Sequence, residues 1–310
     1  MIDRKVLGAY AAIGALSPDE QADWYRRAAA DWNLSCFEIP LLAGVPLSEP
    51  LQQVFSEVSA SLVVTLVAQW AGKGQSNVAY GLGSTEEQGR REAVLDAQSV
   101  IQQCLGLQRE GIGIAALEVH VGQRTGGPVA HSVSLYRSLL ELRGALAAVL
   151  PECRLAVEIT DSLAADHAIP FPSAKKASLN TAQLLEAVAA ANAPGGPPIS
   201  VGINWGRLLI NGDRPLDVVE EVLASPVPLA GVILSGAAAT PDGFADGHNS
   251  HLDPGSGFTL ADGEACAERL SRASEPAFLG MKCSLKTGPG ERGFDVAEVL
   301  QSQAEFLNRV

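Results

Sequence analysis

Eight short stretches of the chain have the apolar character or alternation of a β-strand. They are VLGAYAA from Val6, CFEIPL from Cys36, SLVVTLVAQ from Ser61, ALEVHVG from Ala116, RLAVEITD from Arg154, ISVGINWG from Ile199, LAGVILSG from Leu229 and FLGMKCSL from Phe278. Helical patterns fill the intervals, over residues 17–33, 47–60, 85–109, 132–150, 181–193, 215–224, 261–273 and 294–310. SPDE opens the first with an N-cap serine, a proline at the first helical position and acids in the first turn. TEEQ, from Thr85, has the form of a capping box. Strand and helix alternate eight times, which predicts one (β/α)8 barrel over residues 1–310 rather than a doubly wound sheet.

The connections are asymmetric. Links from a helix to the next strand are short, such as NLS before Cys36 and SPVP before Leu229. Links from a strand to the next helix are long in three units: QWAGKGQSNVAYGLGS from Gln69, DSLAADHAIPFPSAKKASLN from Asp161 and SGAAATPDGFADGHNSHLDPGSGFT from Ser235. Barrel enzymes build their sites from strand-to-helix loops, and long loops in compact domains are usually functional. The asymmetry points to an enzyme.

In a closed barrel alternate strand residues face the lumen. With the bulky apolar set assigned to the helix side, the inward set near the strand ends reads Tyr10, Glu38, Gln69, Glu118 with His120, Glu158 with Thr160, Asn204, Ser235, and Lys282 with Ser284. Three carboxylates, a histidine, an asparagine and a lysine therefore converge on one mouth. A lone buried carboxylate is costly, so Glu158 reads as a member of this polar cluster, with Lys282 balancing one of the acids. Arg124 and Arg207, from nearby loops, are further partners for the carboxylates.

Three motifs compete for attention. HNSH places His248 and His251 on one face if helical, as a metal pair requires, but the surrounding Gly, Pro and Asp favour a loop. AGKGQS, from Ala71, lacks the full spacing of a phosphate loop. Its glycines and those of YGLGS instead suit a moving lid or a close backbone approach. SAKKAS, with Lys175 and Lys176, reads as a solvated basic loop.

Composition narrows the partners. The formal net charge is -13, which argues against nucleic acid or an anionic membrane. No apolar run reaches membrane-spanning length and no signal-peptide core opens the chain. The five cysteines form no CxxC pair and mostly sit in apolar runs, as reduced core residues of a cytoplasmic protein do.

An eight-unit barrel with an acidic residue at a strand end resembles the xylose isomerase-like superfamily of sugar isomerases and epimerases, and the chain looks like a divergent bacterial branch of it. The likeness is architectural and spans most of the chain. It implies a divalent metal held by Glu, Asp, His and Glu at the ends of the fifth to eighth strands. Glu158 matches the first of these positions, while Asn204 stands at the second, Ser235 at the third and Lys282 at the fourth. The cofactor expectation is thus none or one divalent ion, with Glu158 and Asn204 as its ligands if present.

The resulting expectation is a carbohydrate-directed isomerase, epimerase or lyase. Glu158 serves as base or ligand, Glu118 as its acid/base counterpart and Lys282 as the cation facing a developing oxyanion. His120 and Asn204 orient hydroxyls, and Tyr10, Glu38, Arg124, Arg207, His248 and His251 complete the substrate site. Two alternatives stand beside it. A retaining glycoside hydrolase would pair Glu118 with Glu158 across neighbouring strands about 4.8 Å apart. A non-catalytic barrel would bind a sugar or a partner protein. Assembly into a homo-oligomer is left open.

Overall fold

In a computed structural model, which describes residues 2–122, 130–162, 179–241, 243–273, 275–286 and 293–310, eight parallel strands close into a barrel. The barrel strands are β1 (Ile2–Leu7), β2 (Cys36–Pro40), β3 (Ser61–Thr65), β4 (Gly113–His120), β5 (Arg154–Ile159), β6 (Ile199–Asn204) and β7 (Leu229–Leu234). A short antiparallel hairpin, β8 (Ala238–Thr240) and β9 (Gly243–Ala245), interrupts the connection before β10 (Ala277–Met281), the eighth barrel strand. The order around the barrel is β1-β10-β7-β6-β5-β4-β3-β2, so β1 closes the seam between β10 and β2.

Outer helices over Pro18–Trp32, Glu49–Glu57, Glu87–Arg109, Ser132–Val149, Thr181–Asn192, Pro215–Ala224, Leu260–Ser271 and Val296–Arg309 cover the strands. Ser17, Asn180 and Thr259 each close a reciprocal capping box with the third helical residue. TEEQ does not, because the helix starts at Glu87 with Glu86 as its N-cap and no side chain caps it. Three short helices, Tyr10–Ile13, Val67–Ser76 and Trp205–Ile210, follow β1, β3 and β6 closely on the C-terminal side of the barrel.

Two strand boundaries differ from the sequence pattern. The first strand lies earlier, at Ile2–Leu7, and Tyr10 opens a helical turn instead of extending it. The third strand stops at Thr65, and AGKGQS lies in the helix that follows. Lys73 there pairs with Glu92 at 2.7 Å, so the motif forms no phosphate loop. The YGLGS glycines serve a close approach to the chain just after β4: a Cβ on Gly81 would lie 1.5 Å from the Gly122 carbonyl oxygen.

Two apolar clusters hold the barrel. The larger fills the space between strands and helices. The smaller lies inside the barrel and includes Val6, Cys36, Val63, Ala116, Ala156, Ile233 and Phe278. Cys36, Ala116, Ala156 and Phe278 come two or four positions before Glu38, Glu118, Glu158 and Lys282 on the same strands, so an apolar plug floors the polar layer. All five cysteines are buried and unpaired with one another.

Candidate active site

Glu38, Glu118, Glu158 and Lys282 lie in the barrel interior, each no more than 2% exposed. Charges that deeply buried need partners, and carboxyls without them need protons. Lys282 donates to Oε1 of Glu38 at 2.8 Å, and the Tyr10 hydroxyl donates to the same oxygen at 3.0 Å. The ammonium also lies 5.6 Å from the Tyr10 ring centroid. Burial works against the charge on Lys282, but Glu38, Tyr10 and Glu158 outweigh it and hold its pKa well above the ordinary lysine value. Burial, reinforced by Glu38, raises the Tyr10 phenol as well, so the tyrosine stays protonated. Lys282 is therefore a fixed cation and not a neutral amine nucleophile.

Glu118 and Glu158 have opposite proton preferences. Burial, together with the negative charges of Glu158 and Glu38, pushes the Glu118 carboxyl well above the usual range. Glu158 feels the same burial, but His120 beside it, together with Lys282 and Arg207, overcomes this and holds its carboxyl below the usual range. Nε2 of His120 lies 2.9 Å from Oε2 of Glu158. The strand register places His120 opposite Glu158 and Glu118 opposite Ala156. The two carboxylates are thus diagonal neighbours across the β4–β5 pair, a wider relation than that of directly opposed residues.

Two glycines make room for these side chains. A Cβ on Gly8 would lie 2.7 Å from Cβ of Lys282 and 3.0 Å from Oε2 of Glu38. A Cβ on Gly202 would lie 2.9 Å from Oε1 of Glu118. Glu118 on β4 therefore reaches past β5 to β6.

A second polar string runs along the ends of β5, β6 and β7. Ser235 donates to Oδ1 of Asn204 at 3.1 Å, and Nδ1 of His248 lies 3.4 Å from the Ser235 hydroxyl. Nε2 of His248 is 3.7 Å from Asp246, which also pairs with the guanidinium of Arg207. Arg207 is 3.4 Å from Asp161 as well. Burial opposes the Arg207 charge, yet Asp246, Asp161 and Glu158 keep it firmly protonated.

Two expected members stand apart. Gln69, on the helix after β3, accepts from the Ala43 amide and donates to Asp96. The apolar pattern of β3 runs on through Gln69 and points it into the lumen, but the strand ends at Thr65. His251 packs edge-on against Phe258, with centroids 6.4 Å apart, and burial lowers its pKa. His248 has φ of 51° and HNSH is irregular rather than helical, so the two histidines do not share a helical face. Arg124, Lys175 and Lys176 lie outside the described residues. Asp161 has one weak signal in the sequence, a second polar residue directly after Thr160.

The lumen carries many buried polar atoms without a partner among the described residues: Oε2 of Glu38, Oε2 of Glu118, Nδ1 of His120, Oε1 of Glu158, Oγ1 of Thr160 and Nδ2 of Asn204. Such atoms are ordinarily met by water or a ligand. The donor set does not suit a divalent cation. Among the described residues no three His, Cys, Asp or Glu side chains are placed to hold one. Glu158 is engaged by His120, Asn204 by Ser235, and the fourth position carries the ammonium of Lys282. A cleft of about 500 Å³ opens near the N-terminal ends of β7 and β10, lined by Ser225, Leu229, Arg269 and Arg272 among others. It contains none of these lumen residues.

The closed barrel and its alternation of strands and helices define a (β/α)8 barrel, here with a charged lumen. The chain belongs to the family described as "Domain of unknown function (DUF4862)", whose model matches residues 6–291. No curated protein matches it in sequence. Among solved structures it is similar to an L-ribulose 3-epimerase, at 11% identity and a TM-score of 0.61, covering 100% of this chain and 93% of that one. It is similar to a D-allulose 3-epimerase from Methylomonas sp. in complex with D-allulose, at 14% identity and a TM-score of 0.62, covering 99% and 96%. It is also similar to IOLI protein with a bound zinc atom, at 11% identity and a TM-score of 0.60, covering 97% and 96%. These likenesses concern the fold. Among the described residues, no helix is long and apolar enough to cross a membrane.

Proposed function

We propose that the protein is an isomerase or epimerase of a small carbohydrate, which moves a proton on a carbon next to a carbonyl. One observation carries the reading: two buried carboxyls on neighbouring strands of the same lumen, Glu118 and Glu158, are shifted in opposite directions, Glu118 upward by burial and Glu158 downward beside His120. That division supplies an acid and a base at one pH. Glu158, ionised and oriented by His120, accepts the proton from the substrate carbon. Glu118, protonated, delivers a proton to the substrate. The Lys282 ammonium faces the oxygen on which negative charge develops, in a setting where water is excluded and its charge counts for more. Tyr10 and Glu38 hold that ammonium in place. The unpartnered groups of Asn204 and Thr160 bind sugar hydroxyls.

Retaining glycoside hydrolysis draws on the same acid and base, but the diagonal offset of Glu118 from Glu158 supports it less than direct opposition would. The test is incubation with a panel of ketoses and aldoses in deuterated water, followed by NMR. Deuterium entering the carbon beside the carbonyl, with interconversion of two sugars, is the expected result. Absence of exchange across the panel, alongside cleavage of an aryl glycoside, would overturn the reading.

A further inference from the structure

We infer that Lys282 takes the place of a divalent cation in this barrel, so that the chain itself supplies the positive charge of the site. Four strand ends, those of β5, β6, β7 and β10, present Glu158, Asn204, Ser235 and Lys282. A cation centred there would meet one carboxylate already bonded to His120 and one amide oxygen already bonded to Ser235. It would also meet an ammonium that cannot withdraw. Lys282 is held from three sides: by Glu38 at 2.8 Å, by the Tyr10 ring at 5.6 Å, and by Gly8, over which its stem lies. The side chain is buried, with 2% of its residue surface exposed. Two like charges in a pocket of low dielectric repel strongly, so lysine and metal exclude one another.

A divalent ion adapts its coordination to each substrate, whereas an ammonium offers three donors from a single point. One of those donors is used by Glu38. The others suit one oxygen of an open-chain hydroxycarbonyl, the substrate class of the proposed isomerase. The choice of substrate class rests on that proposal; the replacement of the metal does not.

The experiment therefore uses no substrate. Untagged protein purified without chelator is assayed for bound metals, then titrated calorimetrically with Mn²⁺ and with Zn²⁺. Lys282→Glu is titrated in parallel, and its thermal unfolding is followed with and without Mn²⁺. The unmodified protein is expected to carry no stoichiometric metal and to give no saturable binding. Lys282→Glu, with a carboxylate in place of the cation, is expected to gain Mn²⁺ affinity by at least about a hundredfold and to become more heat-stable with the ion. If Lys282→Glu does not fold, Lys282→Gln, one bond shorter and uncharged but still a hydrogen-bond donor, is titrated instead. One equivalent of metal in the unmodified protein, lost in Glu158→Gln, would overturn the inference. So would a folded variant that binds metal no better than the unmodified chain. A protein that binds no metal and also converts no sugar would defeat the proposed isomerase and leave the replacement standing.

Discussion

Lys282 reaches Glu38 across the seam of the barrel, with Nζ and Oε1 2.8 Å apart and the end of β1 between their strands. Gly8 is what leaves the passage open. An alanine there would place its Cβ 2.7 Å from Cβ of Lys282, an atom that cannot move without the backbone. Gly8→Ala is expected to destabilise the chain by about 1–3 kcal/mol, as overpacked cores do. Urea unfolding with an unchanged m-value checks this. A change within about 0.5 kcal/mol would mean that the seam relaxes and that Gly8 does not position the pair.

The ion pair itself gives a second prediction. Removing one partner strands the other in the core, so Lys282→Met and Glu38→Gln should each cost about 3–5 kcal/mol. The double variant leaves no uncompensated charge and should cost much less than the sum of the two. The coupling measured in a double-mutant cycle is the readout, and additive effects would show that the two side chains do not depend on each other.

Glu118 predicts a pH dependence. Its pKa is raised in the folded chain, so the folded state keeps this proton to higher pH than the unfolded state. No penalty exists below the ordinary carboxylate pKa of about 4, and stability falls as pH rises from there towards the raised value. Glu118→Gln does not titrate. The variant should therefore be more stable than the unmodified chain at neutral pH, and the difference should shrink on acidification towards pH ~4. Thermal unfolding at several pH values measures it. A difference that grows on acidification would mean that Glu118 is ionised in the fold. Turnover should be lost in the same variant.

Much of this architecture was legible because its signals are local. The β5 segment reads inward at Glu158 and outward at Leu155, Val157 and Ile159 by simple alternation, and the strand register agrees. Pattern failed where a turn begins with strand-forming residues. Val67 and Trp70 continue the apolar run of β3, yet the chain turns helical at Val67, and Gln69 leaves the lumen for Asp96. Tyr10 likewise reaches Glu38 from a helical turn that looked like strand. Pairings such as Arg207 with Asp161 and Asp246 bring together a short helix and two separate loops and have no sequence period. The roles of Gly8 and Gly202 were hidden for a related reason. A glycine in a strand announces a close approach but not the side chain that approaches.

Gly202 separates placement from stability. An alanine at this position would put its Cβ 2.9 Å from Oε1 of Glu118 and 3.8 Å from the backbone of Glu158. The nearest atom is the far end of a flexible side chain, which can swing away, while the backbone contact is ordinary. Gly202→Ala should therefore fold with little loss of stability, in contrast to Gly8→Ala. The displaced carboxyl no longer reaches the point where its proton is needed, and an error near 1 Å in such a group lowers turnover by about a hundredfold. The loss should fall on kcat more than on KM, because in the proposed reaction Glu118 acts on the reacting atoms and does not anchor the substrate. The acidic and basic limbs of the pH–rate profile distinguish this from general damage. Only the limb set by Glu118 should move, since Glu158 keeps its bond to His120. Equal displacement of both limbs, or a fall in stability as large as that of Gly8→Ala, would show that Gly202 serves packing alone.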